Sequence, residues 1–374
     1  MAPPAKDNDA VDKLTYTTPK ELWDIPFDVL EPLCDGDMRD ALAATSQKFN
    51  LYREANNSCK KQCDGLLALT LRCDIRERLY RSWKSSSLTV LELKRLGIND
   101  DDVAKLVNEC ATVKSLTSLN LGQNHLSSEG GKAIAEALMV NSILSTLNLA
   151  DNMLCGVEYG HDTYDALGIL AIAEALKSGN GVLTKLDVSY NSIGAEGGKA
   201  LAEALKGNSV LTSLNLWSNS LGVEGGKAIA SAIMANGVLA NLNLMGNQIG
   251  SEGGKALAAA LKVNSVLKSL SVARNDIGGE AAQQLAAAVL SSKSLEVFSM
   301  VPIKELREDK LTELNLNSKG LGPTEGIVLA ELIEGNSVLT SLSLKYNNLG
   351  AEIEIVLQNA VAGRVGFELP LRFI

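Results

Sequence analysis

An α/β solenoid, a parallel sheet backed by a layer of helices, is the fold class this sequence predicts, and three observations predict it. One phrase recurs: LNLGQNHLSSEGG from Leu119, LDVSYNSIGAEGG from Leu186, LNLWSNSLGVEGG from Leu214 and LNLMGNQIGSEGG from Leu242. Its Asn returns at 124, 152, 191, 219, 247, 275 and 347, with Leu96 and Lys319 at the same position in their copies; the steps are 28 residues except for 39 after 152 and 44 from 275 to Lys319. Each phrase runs into an Ala- and Leu-rich helical stretch, such as GKAIAEAL or GKALAAAL. A fixed period of this length marks an array of one supersecondary unit.

Residues 1–13 read as a polar, disordered tail. Residues 14–65 differ in character from the rest. Leu42, Thr45, Phe49 and Tyr52 fall at helical spacing, so this segment predicts short helices that cap the open end of the array. The solenoid runs from 66 to 374. Alternation of Leu67, Leu69 and Leu71 predicts a first, irregular strand over 66–72, and regular strands open at Leu91, Leu119, Leu147, Leu186, Leu214, Leu242 and Leu270. An insertion, CGVEYGHDTYD, occupies 155–165. Leu295 opens an irregular repeat over 295–313, LEVFSMVPIKEL, with no helix after it, before Leu314 and Leu342 resume the pattern and FELPLRF pairs as a last strand.

Strand side chains alternate, so the two Leu of LxL point one way and the residue between them the other. Stacked copies form one parallel sheet with a buried leucine face and a polar exposed face. The Asn that follows carries two donors and one acceptor at the point where the chain leaves the strand, enough to satisfy backbone groups of its own turn and of the neighbouring repeat as a ladder. The GlyGly pair is expected to serve the turn into the helix, and Ala133, Ala137, Ala228 and Ala256 to thin the helix towards its neighbours. Helices are about 10 Å wide and strands about 4.8 Å apart, so stacking curves the array with helices outside and the sheet on the concave face.

Period, LxLxxNxI phrase and helical half together resemble the ribonuclease-inhibitor class of leucine-rich repeats over residues 91–362, close to the repeat arrays of NLR-type receptors. That resemblance implies a horseshoe and a role in binding proteins, without naming the partner. At the N-terminus, Ile25-Pro26-Phe27-Asp28-Val29-Leu30, Asp37-Met38 and Thr45-Ser46-Gln47-Lys48-Phe49 resemble an F-box. This implies a substrate receptor of a cullin ubiquitin ligase. Ran GTPase-activating proteins share the repeat class, which implies regulation of a small GTPase; such proteins carry an Arg in an early extended loop, and the insertion at 155–165 has none.

Composition excludes several classes. The hydrophobic fraction is 46% but aromatics are only 4%, so the core is aliphatic. A net charge of −9 argues against binding nucleic acid. No stretch approaches the length of a membrane span, and the polar N-terminus offers no apolar run for a secretory signal. Six scattered cysteines fit reduced thiols in a cytoplasmic protein, with the nucleus as an alternative. The phrase GVEGGKA from Gly222 is one residue short of a P-loop, has Ala228 where Ser or Thr would hold magnesium, and recurs in kind from Gly194 and Gly250, so it reads as a turn feeding a helix. Cys59, Cys63 and Cys73 lack zinc spacing, and His125 and His161 fall far from them. No catalytic constellation, metal site or cofactor is expected.

A protein partner is therefore expected, either for a free protein or for a subunit of a larger assembly. Its contacts are expected on the concave face at Asp187, Tyr190, Trp217, Met245, Arg274, Phe298, Lys345 and Tyr346, with Trp217 as the anchor. Tyr159, His161 and Tyr164 of the insertion form a second candidate contact at the rim.

Overall fold

The computed structural model describes residues 89–110, 115–156, 163–178 and 181–371; the architecture below is that of the unit formed by Val90–Ala111 and Leu116–Ile374. The tail at 1–13, the cap or F-box-like segment at 14–65, the strand at 66–72, Tyr159 and His161 lie outside the described residues.

Strands and helices alternate along this unit. The strands are β1 (Val90–Glu92), β2 (Ser118–Asn120), β3 (Thr146–Asn148), β4 (Lys185–Asp187), β5 (Ser213–Asn215), β6 (Asn241–Asn243), β7 (Ser269–Ser271), β8 (Val297–Phe298), β9 (Glu313–Asn315) and β10 (Ser341–Ser343). The helices between and after them are α1 (Asp100–Cys110), α2 (Ser128–Val140), α3 (Leu167–Lys177), α4 (Gly194–Gly207), α5 (Gly222–Ala235), α6 (Gly250–Val263), α7 (Gly279–Ser291), α8 (Ile303–Arg307), α9 (Pro323–Glu334) and α10 (Ala351–Ala360). Strands β1 to β8 make one parallel sheet in sequence order. Its register stacks Leu91, Leu119, Leu147, Leu186, Leu214, Leu242, Leu270 and Phe298 in a single column. All eight side chains are buried, and the helices pack behind them in chain order. This is a leucine-rich-repeat solenoid.

The asparagine ladder holds the repeats in register. Asn219 donates from Nδ2 to the Val188 carbonyl of the preceding repeat at 2.9 Å and to Leu216 of its own at 3.1 Å, while its Oδ1 accepts the Asn191 N–H at 2.8 Å. Asn247 and Asn275 repeat the pattern one step further on. A second asparagine series, unremarked in the sequence, closes the helix ends. Asn208 and Asn236 accept from the N–H groups two and three residues on, and donate to Leu176 and Leu205 of the preceding helices. Every otherwise orphaned carbonyl met this way removes a desolvation penalty of about 1–3 kcal/mol.

Two local expectations change. The GlyGly pairs lie within the helices, one turn from their starts, where they let helices approach closely; the residues that turn left-handed ahead of them are Gly194, Gly222 and Gly250, with φ of 66°, 62° and 66°. Fully buried alanines include Ala202, Ala204, Ala230, Ala232, Ala258 and Ala260, whereas Ala133, Ala137, Ala228 and Ala256 are half-buried.

The irregular repeat departs further. Phe298 pairs with Leu270, so the 28-residue period runs on through β8 and Leu295 answers to Leu267, not to the first Leu of an LxL. A short helix, α8, does follow. The large sheet then stops, and β9 pairs only with β10. The helical layer does not stop, because α7 packs directly on α9. Beyond α10, Leu342 of β10 and Leu344 just past it donate to the carbonyls of Glu368 and Pro370, both at 2.9 Å, so the C-terminal segment lies alongside β10 as the last extended stretch.

At the break, Glu325 stands at the position that Gly197, Gly225 and Gly253 hold in regular repeats. Only 2% exposed, it accepts the Gly322 N–H at 2.9 Å through one oxygen, and the other has no partner among the described residues. Burial pushes its carboxyl above the ordinary glutamate range, against a smaller pull from the Ser299 hydroxyl and the Gly322 amide. The folded state therefore holds this proton more tightly than the unfolded chain. The resulting stability is present below the unfolded glutamate value and is lost as pH rises towards the folded one. Substituting Glu325→Gln should flatten the fall in melting temperature between acid and neutral pH, leaving the variant at least as stable as the native chain at about pH 7. Thermal melts of both proteins across pH test this; parallel profiles would refute it.

Candidate functional site

The face of the sheet opposite the leucines offers three positions per repeat. The mid-strand residue comes first, and it is largely committed to its own repeat. Asn148, Asn215 and Asn243 each accept, through Oδ1, the N–H two residues on, at 2.9, 3.1 and 3.0 Å. Asp187 does the same for Ser189, whose hydroxyl also donates to it at 2.7 Å, and its second oxygen accepts from Asn215 Nδ2 at 2.9 Å. Its carboxylate is thus held in a fixed orientation on the face.

The position after LxL begins the turn out of the strand and is closed over by neighbouring repeats. Gly122, Ser189, Met245 and Ala273 are buried there. Met245 is 5% exposed and Phe298 is fully enclosed, which removes both from the expected contact surface. Phe298 takes the core position of an LxL leucine, and Met245 is covered by its neighbours in the turn. Trp217, in that column, is half-buried. Its indole stands edge-on to Tyr190, centroids 4.7 Å apart and planes at 65°, and lies over Gly246, where a Cβ would come within 3.5 Å of the ring.

The third position is left-handed in successive repeats: Gln123, Asp151, Tyr190, Ser218, Arg274, Ser318 and Tyr346 all have φ between 54° and 61°. For a residue with a Cβ this conformation costs about 1–2 kcal/mol. Cross-repeat bonds hold it, as when Tyr190 N–H donates to Trp217 O at 2.9 Å and Ser218 N–H to Met245 O at 2.9 Å. The turn lifts these side chains onto the C-terminal rim of the sheet. There Arg95, Gln123, Asp151, Tyr190 and Ser218 line a groove of about 620 Å³. Gln123 donates to Asp151 at 2.9 Å across it. Tyr190 is 42% exposed, and partial burial raises its phenol above the ordinary value against the opposing field of Arg274. Gln123 and Asp151 were not expected at the site; the signal available was that the residue before each ladder Asn occupies one column.

Arg274 and Tyr346 are exposed on the same rim, and Lys345 is half-buried beside them. Tyr164 is less free than expected. Its hydroxyl donates to the Ile193 carbonyl at 2.7 Å and its ring covers Gly194, so it ties the end of the insertion to the next repeat. Cys155, at the insertion's start, is buried and its thiol is pushed up to about 12, chiefly by desolvation and then by Asp165 and Glu196, which makes it a poor nucleophile. Among the described residues no three His, Cys, Asp or Glu side chains converge to hold a metal, and no helix is long and apolar enough to cross a membrane.

The model of the family described as Leucine Rich repeat matches residues 114–135, 179–202, 207–230, 239–258, 263–286 and 335–353. No curated protein matches. Among solved structures, the leucine-rich repeat-containing protein LegL7 of Legionella pneumophila is 22% identical, over 79% of this chain and 85% of its own, with a TM-score of 0.41. An internalin of Listeria monocytogenes is 16% identical over 79% and 92%, with a TM-score of 0.38. The tropomodulin C-terminal domain of Caenorhabditis elegans is 12% identical over 42% and 90%, with a TM-score of 0.35.

Proposed function

We propose that this chain, a leucine-rich-repeat protein, is a non-enzymatic interaction module of the cytoplasm or nucleus that holds a protein partner against the exposed face of its sheet. The observation carrying this reading is the Tyr190–Trp217 pair. A Trp side chain held edge-on by a Tyr, half-open to solvent and with no hydrogen-bond partner for its indole N–H among the described residues, has the character of a binding anchor. Asp187 on the adjoining strand adds an oriented carboxylate beside it, and Arg274, Lys345 and Tyr346 stand further along the array, where a long partner would meet them. A fixed scaffold favours such a role, since rigid aromatics lose little conformational freedom on binding.

Partner capture from the protein's own cells tests the reading. The double variant Tyr190→Ala/Trp217→Ala should lose partner binding by more than about tenfold, while its melting temperature stays near that of the native chain because both rings are partly exposed. Retention of every partner by a folded double variant would refute it. Met245 is unsuited to this test, since a charge there would be buried.

A further inference from the structure

We propose that the open edge of β9 receives an extended segment of another protein, added as a parallel strand whose C-terminal end is acidic. In a regular repeat the N–H groups of Thr212 and Ser213 donate to Thr184 O at 2.9 and 3.0 Å, and Asn215 O accepts from Val188 at 3.0 Å. The corresponding groups of β9, the N–H of Thr312 and Glu313 and the carbonyls of Asn315 and Asn317, have no partner among the described residues. The strand before β9 cannot serve them. After Phe298 the chain turns sharply through left-handed Ser299 and Met300, and Phe298 and Val301 exchange N–H···O bonds of 3.0 and 2.8 Å, which closes the outer edge of β8 upon itself.

Side-chain exposure marks the same place. Leu314 is half-exposed although its counterparts from Leu91 to Leu270 and Leu342 are buried, and Glu313 and Asn315 beside it are exposed. An added strand would cover Leu314 with an apolar side chain while its backbone met the free groups of β9.

Charge selects among such segments. Arg274 packs on Gly320, next to Lys319, and Ser318 donates to Lys345 O at 2.9 Å, so Arg274, Lys319 and Lys345 gather at the C-terminal end of β9. None of the three forms an ion pair among the described residues, in a chain whose net charge is −9. Lys319 stands where other repeats place the ladder Asn; with no paired strand before it the ladder ends, and a cation takes the position. A strand parallel to β9 brings its C-terminal residues to these three cations, so acidic residues there are favoured.

The inference shares the reading of the chain as a protein-binding module but uses a different surface from Trp217. The test is fluorescence anisotropy of the full chain with a labelled peptide, Thr-Val-Thr-Val-Asp-Glu-Glu. Saturable binding is expected, weakened roughly fivefold by Glu313→Pro, which removes one edge N–H without touching the β9–β10 bonds. Exchange of the peptide's acids for amides should weaken it roughly tenfold, as should added salt. Alternate N-methylation of the peptide backbone should abolish binding with the protein unaltered. The Tyr190→Ala/Trp217→Ala variant should bind the peptide normally, which separates this site from the sheet face. Absence of saturable binding, or equal binding of the N-methylated or neutral peptide, overturns the proposal.

Discussion

Asn219→Ala should lower the unfolding free energy of this protein by about 3–5 kcal/mol, the largest effect of any single polar truncation in the array. Asn219 is fully buried, and the change strips hydrogen bonds from the carbonyls of Val188 and Leu216 and from the N–H of Asn191. No water can replace them at that depth, and each orphaned group loses about 1–3 kcal/mol. Repeats touch only their neighbours, so the damage falls on one interface and should broaden or split the transition. Asn148→Ala is the control: its Oδ1 meets only the Ala150 N–H, on the exposed face, and the loss should stay below about 1 kcal/mol. Urea titrations of both variants measure the difference. A ladder variant no worse than the control would mean that the Asn column does not hold the repeats together.

Gly168→Val should be nearly as damaging, at about 3 kcal/mol or more. A Cβ at 168 would lie 2.6 Å from Leu154 O, 2.8 Å from Ser128 Cα and 2.9 Å from Ser128 O, all backbone atoms that cannot swing aside, and Gly131 faces the same contact from α2. The two helices must separate or the insertion's anchor must move. Gly207→Ala, where a Cβ meets nothing within 4 Å, should instead be neutral or stabilise by up to about 1 kcal/mol. Calorimetric melting of the pair decides; equal melting temperatures would refute the close-contact account.

Several features were legible in the residues because they recur. Leu119, Leu147, Leu186, Leu214, Leu242 and Leu270 mark buried strand centres, since a period-2 alternation repeated every 28 residues leaves one side of each strand apolar. The asparagine ladder was legible because one side chain with two donors and an acceptor sits at each exit from the sheet. The positions of the candidate contact residues were legible in part. Tyr190 and Trp217 do meet, but Met245 and Phe298 are enclosed, and exposure depends on neighbours that a column drawn from sequence does not weigh.

The irregular repeat shows where local pattern stops informing. Leu295 looks like the opening leucine of LxL, yet the core residue of the strand is Phe298, three residues later, because parallel pairing to β7 stacks Phe298 on Leu270. A one-residue shift would turn the buried side chains out to solvent, so the register of the neighbour decides which apolar residue enters the core. By itself, the sequence determined the repeat, its buried leucines and its ladder, because these rest on short-range alternation and on side-chain chemistry copied in every unit. Only the tertiary structure decided the break between β8 and β9, the helical layer that crosses it and the strand edge it leaves open, because these arise from how one irregular repeat fits between two regular ones.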